Sequence, residues 1–235
     1  MDRLIYTAAS GAKHILEQQA TTSNNLANLS TTGFRAQLGL PTRAFVVDNT
    51  VGADFSAGPL QVTGRDLDVA IKGQGWIAVQ MQDGTEAYTR NGSLQVSPNG
   101  ILQTANGQTV MGEGGPIAIP PNTTVSIGKD GSIASLTTDT VPATSTIVGR
   151  LKLVNPDQKQ LVRGDDGFFR QQDGTPAQAD PAVTVTSGTL EGSNVSAVDS
   201  MVNMISLARS LETQMSLLKN AENNAAKATQ ILALT

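Results

Sequence analysis

Few residues in this chain are of a kind that could make or break bonds. His14 is the only histidine, and there is no cysteine. A base or metal ligand at His14 would stand alone inside a helical pattern. A Ser-His-Asp arrangement would have to be built on it, with no nucleophile elbow nearby. Zinc needs several His or Cys ligands, so His14 reads as a helix-surface or packing residue. Asp66 and Asp68 flank Leu67 and share one face of an extended segment. Two carboxylates about 5 to 9.5 Å apart could hydrolyse a glycosidic bond held between them. At a strand entrance such acids are more simply solvated, or paired with Arg65 or Arg90. Gly73-Gln74-Gly75 has the look of a phosphate loop but opens onto a strand pattern at 76–80, not onto a helix. The Asp-Gly pairs lack the ligand spacing and terminal Glu of a calcium loop. Trp76 reads as core. Asn28-Leu29-Ser30, Asn91-Gly92-Ser93, Asn122-Thr123-Thr124 and Asn194-Val195-Ser196 match the glycosylation pattern, as chance allows in a chain rich in Asn, Ser and Thr. No catalytic, cofactor or metal site is expected, and the chain does not read as an enzyme.

The elements around these residues are of two kinds. Across 235 residues, charged side chains make up 15% and aromatics 3%, with 23 glycines. A weakly charged chain rich in Gly and Thr is expected to be largely β with many turns. The formal net charge is −4 and no basic cluster stands out. Nucleic-acid partners, which need a footprint of Lys and Arg, are not expected. No apolar run approaches the roughly 20 residues of a membrane helix, so membrane insertion is not expected. The first residues have no apolar core or small-residue cleavage site of a secretory signal and read as a helix that stays.

At the N-terminal end, Leu4, Ala8, Ala12, Ile15, Gln19, Thr22, Leu26 and Leu29 recur at three- and four-residue steps, which predicts a helix over 2–29. Gly11 weakens it by about 1 kcal/mol relative to Ala. Thr31, Thr32 and Gly33 stop it. At the other end Val198, Met201, Ile205, Ala208, Leu211, Met215, Leu218, Ala221, Ala225, Ala228 and Leu232 predict a helix over 197–234, with Ser196 as N-cap. The helices would span roughly 40 and 55 Å. Between them, turn pairs such as Asp83-Gly84, Asn91-Gly92, Asn106-Gly107, Asp130-Gly131 and Asp173-Gly174 separate short β-branched runs. Strands are predicted near 67–71, 76–80, 87–90, 94–96, 101–104, 117–119, 125–127, 133–136, 147–154 and 168–171.

The expected fold is therefore α+β. Long terminal helices pack as a coiled-coil-like pair around an all-β, sandwich- or barrel-like centre. The expected divisions are an N-terminal assembly helix and turn (1–35), an extended connector (36–65), a β domain (66–182), a return connector (183–196) and a C-terminal assembly helix (197–235). The connector 37–64 is expected to pair with 183–190. The expected assembly interface comprises Leu4, Ala8, Ile15, Leu26, Leu29, Val198, Met201, Ile205, Ala208, Leu211, Met215, Leu218 and Leu232.

Several segments resemble one family. Ser23-Asn24-Asn25-Leu26-Ala27-Asn28-Leu29-Ser30-Thr31-Thr32-Gly33-Phe34-Arg35 is similar to the signature of the flagellar rod and hook proteins. Asp66 to Trp76 resembles that family's opening β stretch. Tyr88-Thr89-Arg90-Asn91-Gly92 and Asn99-Gly100 resemble its next hairpins. Leu190-Glu191-Gly192-Ser193-Asn194-Val195 with Met201 to Ile205 resembles its C-terminal signature. The start Met1 to Tyr6, the run Gly33 to Gln37, Gly192, and the short span between the Gly-Phe motif and the first strand look most like the proximal-rod F-type members. The matching motif residues are Asn25, Asn28, Thr31, Gly33, Phe34, Ser193, Asn194 and Val195.

The resemblance implies a structural axial subunit, exported through the flagellar type III apparatus and assembled in the periplasm as part of the basal-body rod. It implies other rod proteins, proximal and distal, as partners in a helical assembly that transmits torque and encloses the export channel. The alternatives are a distal rod protein of the same family, a peptidoglycan-acting enzyme, and a phage-tail-like or surface adhesin subunit.

Overall fold

The computed structural model describes residues 2–39, 52–137 and 145–232, with side chains from residue 6 to residue 224 within those spans. Helix α1 (Asp2–Ala27) and helix α2 (Ala197–Leu232) flank a β-rich middle. Beyond α1, short polar side chains take over from the helical ladder. Asn28 Nδ2 donates to the Asn24 carbonyl at 2.9 Å, and Thr31 Oγ1 donates to Asn28 Oδ1 at 3.1 Å. Gly33 then turns the chain at φ +69°, in the left-handed region that favours glycine. α2 starts where the Ser196 hydroxyl accepts the Asp199 N–H at 3.3 Å, with Asp199 itself in the positive first turn.

The two helices lie against one another and run antiparallel. Gly11 faces the side chain of Gln214, and Gln18, Thr22 and Asn25 share a groove with Asn203 and Leu207. The expectation of a coiled-coil-like pair is corrected here. A coiled coil buries a continuous apolar seam. On the described part of α2 the one buried residue is Ser200, and on α1 only Ala12 and Ile15 are buried. The stripe read from the sequence is divided: Val198, Met201, Ile205 and Met215 are all more than half exposed, while Ala208, Leu211 and Leu218 are half-buried. The side turned to α1 carries a half-buried row of Met204, Leu207, Leu211, Gln214 and Leu218. The helix has apolar residues around much of its circumference, so periodicity alone does not say which row turns inward.

The middle is built on a nine-stranded antiparallel sheet. Its main path runs Leu161–Arg163, Phe169–Gln171, Glu86–Thr89, Trp76–Gln80, Thr109–Gly112, Leu102–Thr104, Leu94–Val96. Gly115–Pro116 adds to Thr109–Gly112, and Leu153–Val154 adds to Trp76–Gln80. A three-stranded sheet, Thr123–Ile127, Ser132–Thr137 and Ser145–Arg150, packs Val125, Ile127 and Ile133 into the main core with Ile77, Val79, Leu94, Leu102 and Val110. The central strand is covered on both sides. Ile77 and Val79 face this core, while Trp76 and Ala78 face a second cluster with Tyr88, Val154 and Phe169. Phe55 meets the Trp76 ring edge-on at 5.9 Å, and the Trp76 and Phe169 centroids lie 4.6 Å apart.

Aspartate makes the turns. In Asp83-Gly84-Thr85, Asp130-Gly131-Ser132, Asp166-Gly167-Phe168 and Asp173-Gly174-Thr175 the carboxylate accepts the N–H two residues on, at 2.9 to 3.2 Å. Each glycine sits at positive φ.

Strand placement departs from the sequence pattern in three ways. Thr109–Gly112 and Leu161–Arg163 are additional strands. The expected run 147–154 is two strands, because the chain leaves the small sheet after Arg150, bridges Gly112 through Leu151, and joins the large sheet at Leu153. At 117–119 there is only a bridge from Ala118 to Ile101. Two ribbons close the middle: Thr184–Ser187 pairs with Val69–Lys72, and Thr189–Glu191 pairs with Leu60–Val62. Residues 40–51 of the connector expected at 36–65 lie outside the described residues.

Candidate functional site

The residues expected to form the assembly interface fall into three groups. Ile15 is buried, and Ala8, Leu26, Leu29, Ala208, Leu211 and Leu218 are half-buried. Val198, Met201, Ile205 and Met215 are exposed, joined by Val202 and Leu217, which the sequence reading passed over. The side chains of Leu4 and Leu232 lie outside the described residues. Val198, Met201, Val202 and Ile205 fall on one side of α2 and form an apolar face with no cover in the single chain, and Met215 and Leu217 are exposed further along.

The motif residues gather at the joint between the helices and the β domain. Asn25 clamps the chain after α1, accepting the Gln37 N–H at 2.8 Å and donating to the Gln37 carbonyl at 2.9 Å. Asn194 bridges three segments: its Oδ1 accepts the Ala36 N–H at 2.7 Å, and its Nδ2 donates to the carbonyls of Asp54 at 2.9 Å and Ser56 at 3.1 Å. Ser193 is buried, and its hydroxyl accepts the Val195 N–H at 3.2 Å. Phe34 is buried beneath the Arg163 guanidinium, 4.5 Å from its ring centre. Gly33 lies so close to the β domain that a Cβ there would fall 2.3 Å from the Arg90 carbonyl carbon. Asn28 and Thr31 end the helix, as described above.

At the centre of the joint is a carboxylate shared by two arginines. Arg35 Nη2 donates to Glu191 Oε1 at 2.7 Å and Arg90 Nη1 to Glu191 Oε2 at 3.0 Å. Arg35 and Glu191 are 1% exposed, and Arg90 is 5% exposed. Gly58 N–H also donates to Oε1, at 2.9 Å, and Gly33 N–H donates to the Glu191 backbone carbonyl at 2.7 Å. Burial pulls Arg90 below the usual guanidinium range, and the Glu191 carboxylate opposes that shift. Taking one partner from a buried ion pair typically costs about 3–5 kcal/mol, because the other charge is left uncompensated. Sequence reasoning did not assemble this cluster. Its one signal was that charges are sparse, while Arg35, Arg90 and Glu191 each fall inside a motif segment.

The residues weighed for chemistry are placed apart. His14 is half-buried on α1, with its Nε2 3.1 Å from Gln18 Nε2. Asp66 is exposed, whereas Asp68 is buried against Arg65 at 3.1 Å and accepts from Thr63 Oγ1 at 2.7 Å. Arg90 is not Asp68's partner, since it is committed to Glu191. Gly73 offers its carbonyl to Arg90 Nη2 at 2.7 Å, and Gly75 packs on Val183. Trp76 is buried in the second core cluster. Tyr88 accepts the Ala177 N–H at 2.8 Å, and burial pushes its hydroxyl up to about 12.

A β domain that completes its own core, joined by a charged clamp to helices that do not, describes a structural subunit made to assemble. Comparison with known proteins makes the class specific. Residues 5–35 match the family "Flagella basal body rod protein", residues 70–135 the "Flagellar hook protein FlgE/F/G D1 domain", and residues 186–231 the "Flagellar basal body rod FlgEFG protein C-terminal". The flagellar basal-body rod protein FlgF of Escherichia coli K12 is 47% identical over 252 aligned residues, covering all of both chains. That of Salmonella typhimurium LT2 is 44% identical over the same extent. FlgG of Buchnera aphidicola subsp. Schizaphis graminum is 30% identical over 248 aligned residues, covering 89% of this chain. The chain belongs to the flagellar basal-body rod protein family, in its F-type branch.

Proposed function

We propose that this chain is a structural subunit of the proximal rod of the bacterial flagellum. Its terminal helices pack against those of neighbouring rod subunits, proximal and distal, and surround the export channel. The β domain lies outside this tube and transmits torque through lateral contacts. The observation that carries this reading is the uncovered apolar face at the start of α2, more than half exposed at Val198, Met201, Val202 and Ile205. Such a contiguous face in a single chain marks an interaction surface. Stiffness of the assembled shaft then comes from many summed apolar contacts. The subunit reaches its place through the flagellar type III export apparatus, and it carries out no catalysis of its own.

The test is Met201→Asp combined with Ile205→Asp. Both side chains point away from α1, so the β domain should melt as in the parent chain. Incorporation into basal bodies and swarming should be lost. Normal swarming in the double variant would refute the assignment of this face to assembly.

A further inference from the structure

We propose that Glu191 is a positioning residue that fixes the direction in which the helix pair leaves the β domain. The purpose of such a joint rests on the rod reading above, whereas the clamp itself is a property of the free chain. One carboxylate gathers both helix exits. Arg35 follows α1 by eight positions, and Glu191 precedes α2 by six (35 − 27 and 197 − 191). Oε1 takes Arg35 and the Gly58 N–H, Oε2 takes Arg90, and the backbone carbonyl takes Gly33. Charge-assisted hydrogen bonds are directional, so they set an orientation that apolar packing alone would leave free to slide.

The β side of the clamp is itself anchored. Arg90 donates a second nitrogen to the Gly73 carbonyl and lies 5.5 Å from the centre of the Trp76 ring, inside the second core cluster. The α1 side has its own brace, since Arg163 stacks on Phe34 and donates to the Arg35 carbonyl at 2.8 Å. Water does not reach the carboxylate to replace a lost partner, because Glu191 is 1% exposed. Two guanidiniums share a single acid. Without its charge they repel each other across the joint, which therefore opens instead of relaxing.

Glu191→Gln tests this, because it keeps the shape and removes the charge. In the full-length free chain, amide hydrogen exchange at Gly33, Ala36 and Gly58 should quicken by more than about tenfold. Exchange at Ile77 and Val79 should stay within about twofold. Unchanged exchange at the joint, or an equal rise in the central strand, would overturn the proposal. Arg35→Lys guards against a Gln variant that fails to fold. It keeps the charge but lacks the planar fork, and the same three amides should quicken several-fold; no change would again overturn it. The chain has no cysteine, so spin labels at Gln82→Cys and Glu212→Cys report the helix-to-domain distance directly. A narrow distance distribution is expected with Glu191 and a broad one with Gln. Equal widths would refute a positioning role. None of these readouts involves rod assembly, so their failure is distinguishable from failure of the rod reading, which the α2 double variant tests.

Discussion

The β domain and the helix pair use their apolar residues in opposite ways. In the β domain Ile77, Val79, Leu94, Leu102, Val110 and Ile133 are wholly buried. Along the described part of α2 no apolar residue is, and six large ones stand in solvent. The β domain meets its own requirement for burial. The helices carry more apolar surface than each other can cover, and the rest stands in solvent in the single chain. The stability of the single chain should therefore depend almost wholly on the middle, and its capacity to assemble on the ends.

Substitutions of matched type press on that contrast. Leu102→Ala should destabilise the β domain by about 2–5 kcal/mol in denaturant unfolding, through lost burial and an unfilled cavity. Ile205→Ala should leave the same midpoint within about 0.5 kcal/mol while weakening rod incorporation. A comparable loss in both would erase the division between the two regions. Next in size is Gly11→Ala on α1. A Cβ there would lie 3.4 Å from Gln214 Nε2, close but movable. The substitution should raise helix stability by about 1 kcal/mol, read by circular dichroism, with the β-domain midpoint unmoved. The smallest effect is at the Asp130 turn, where the Ser132 hydroxyl and N–H and Arg150 hold the carboxyl down to about 2. With the folded value below the unfolded one, its contribution is complete above about pH 4 and lost as pH falls toward 2. Titration of Asp130 by NMR should show that low midpoint, and Ser132→Ala should raise it.

What was legible in the sequence follows from how local each signal is. Turns were readable because Asp-Gly and Asn-Gly specify positive φ within two residues. The stop at Gly33 was readable for the same reason, although its deeper cause, contact with the Arg90 backbone, was not. Thr109–Gly112 escaped notice because Thr-Val-Met-Gly is a strand only by virtue of its neighbours. The break at Leu151 was hidden because both halves of 147–154 are equally β-prone. The clamp was invisible as a unit: residues 35, 90 and 191 are brought together by the fold, and no period links them. On α2 apolar residues occur around much of the helix, so the stripe read from the sequence is split between half-buried Ala208, Leu211 and Leu218 and exposed Val198, Met201, Ile205 and Met215.

The two closing ribbons have a consequence for timing. Val69–Lys72 is partnered by Thr184–Ser187, and Leu60–Val62 by Thr189–Glu191. A chain emerging from the ribosome presents the first member of each pair long before the second. The ribbons can form only once nearly the whole polypeptide is out, and closing so long a loop is entropically slow. Until then Leu60–Val62 and Val69–Lys72 lack these partners, so the closure of the middle is the last part of its sheet pairing to be completed.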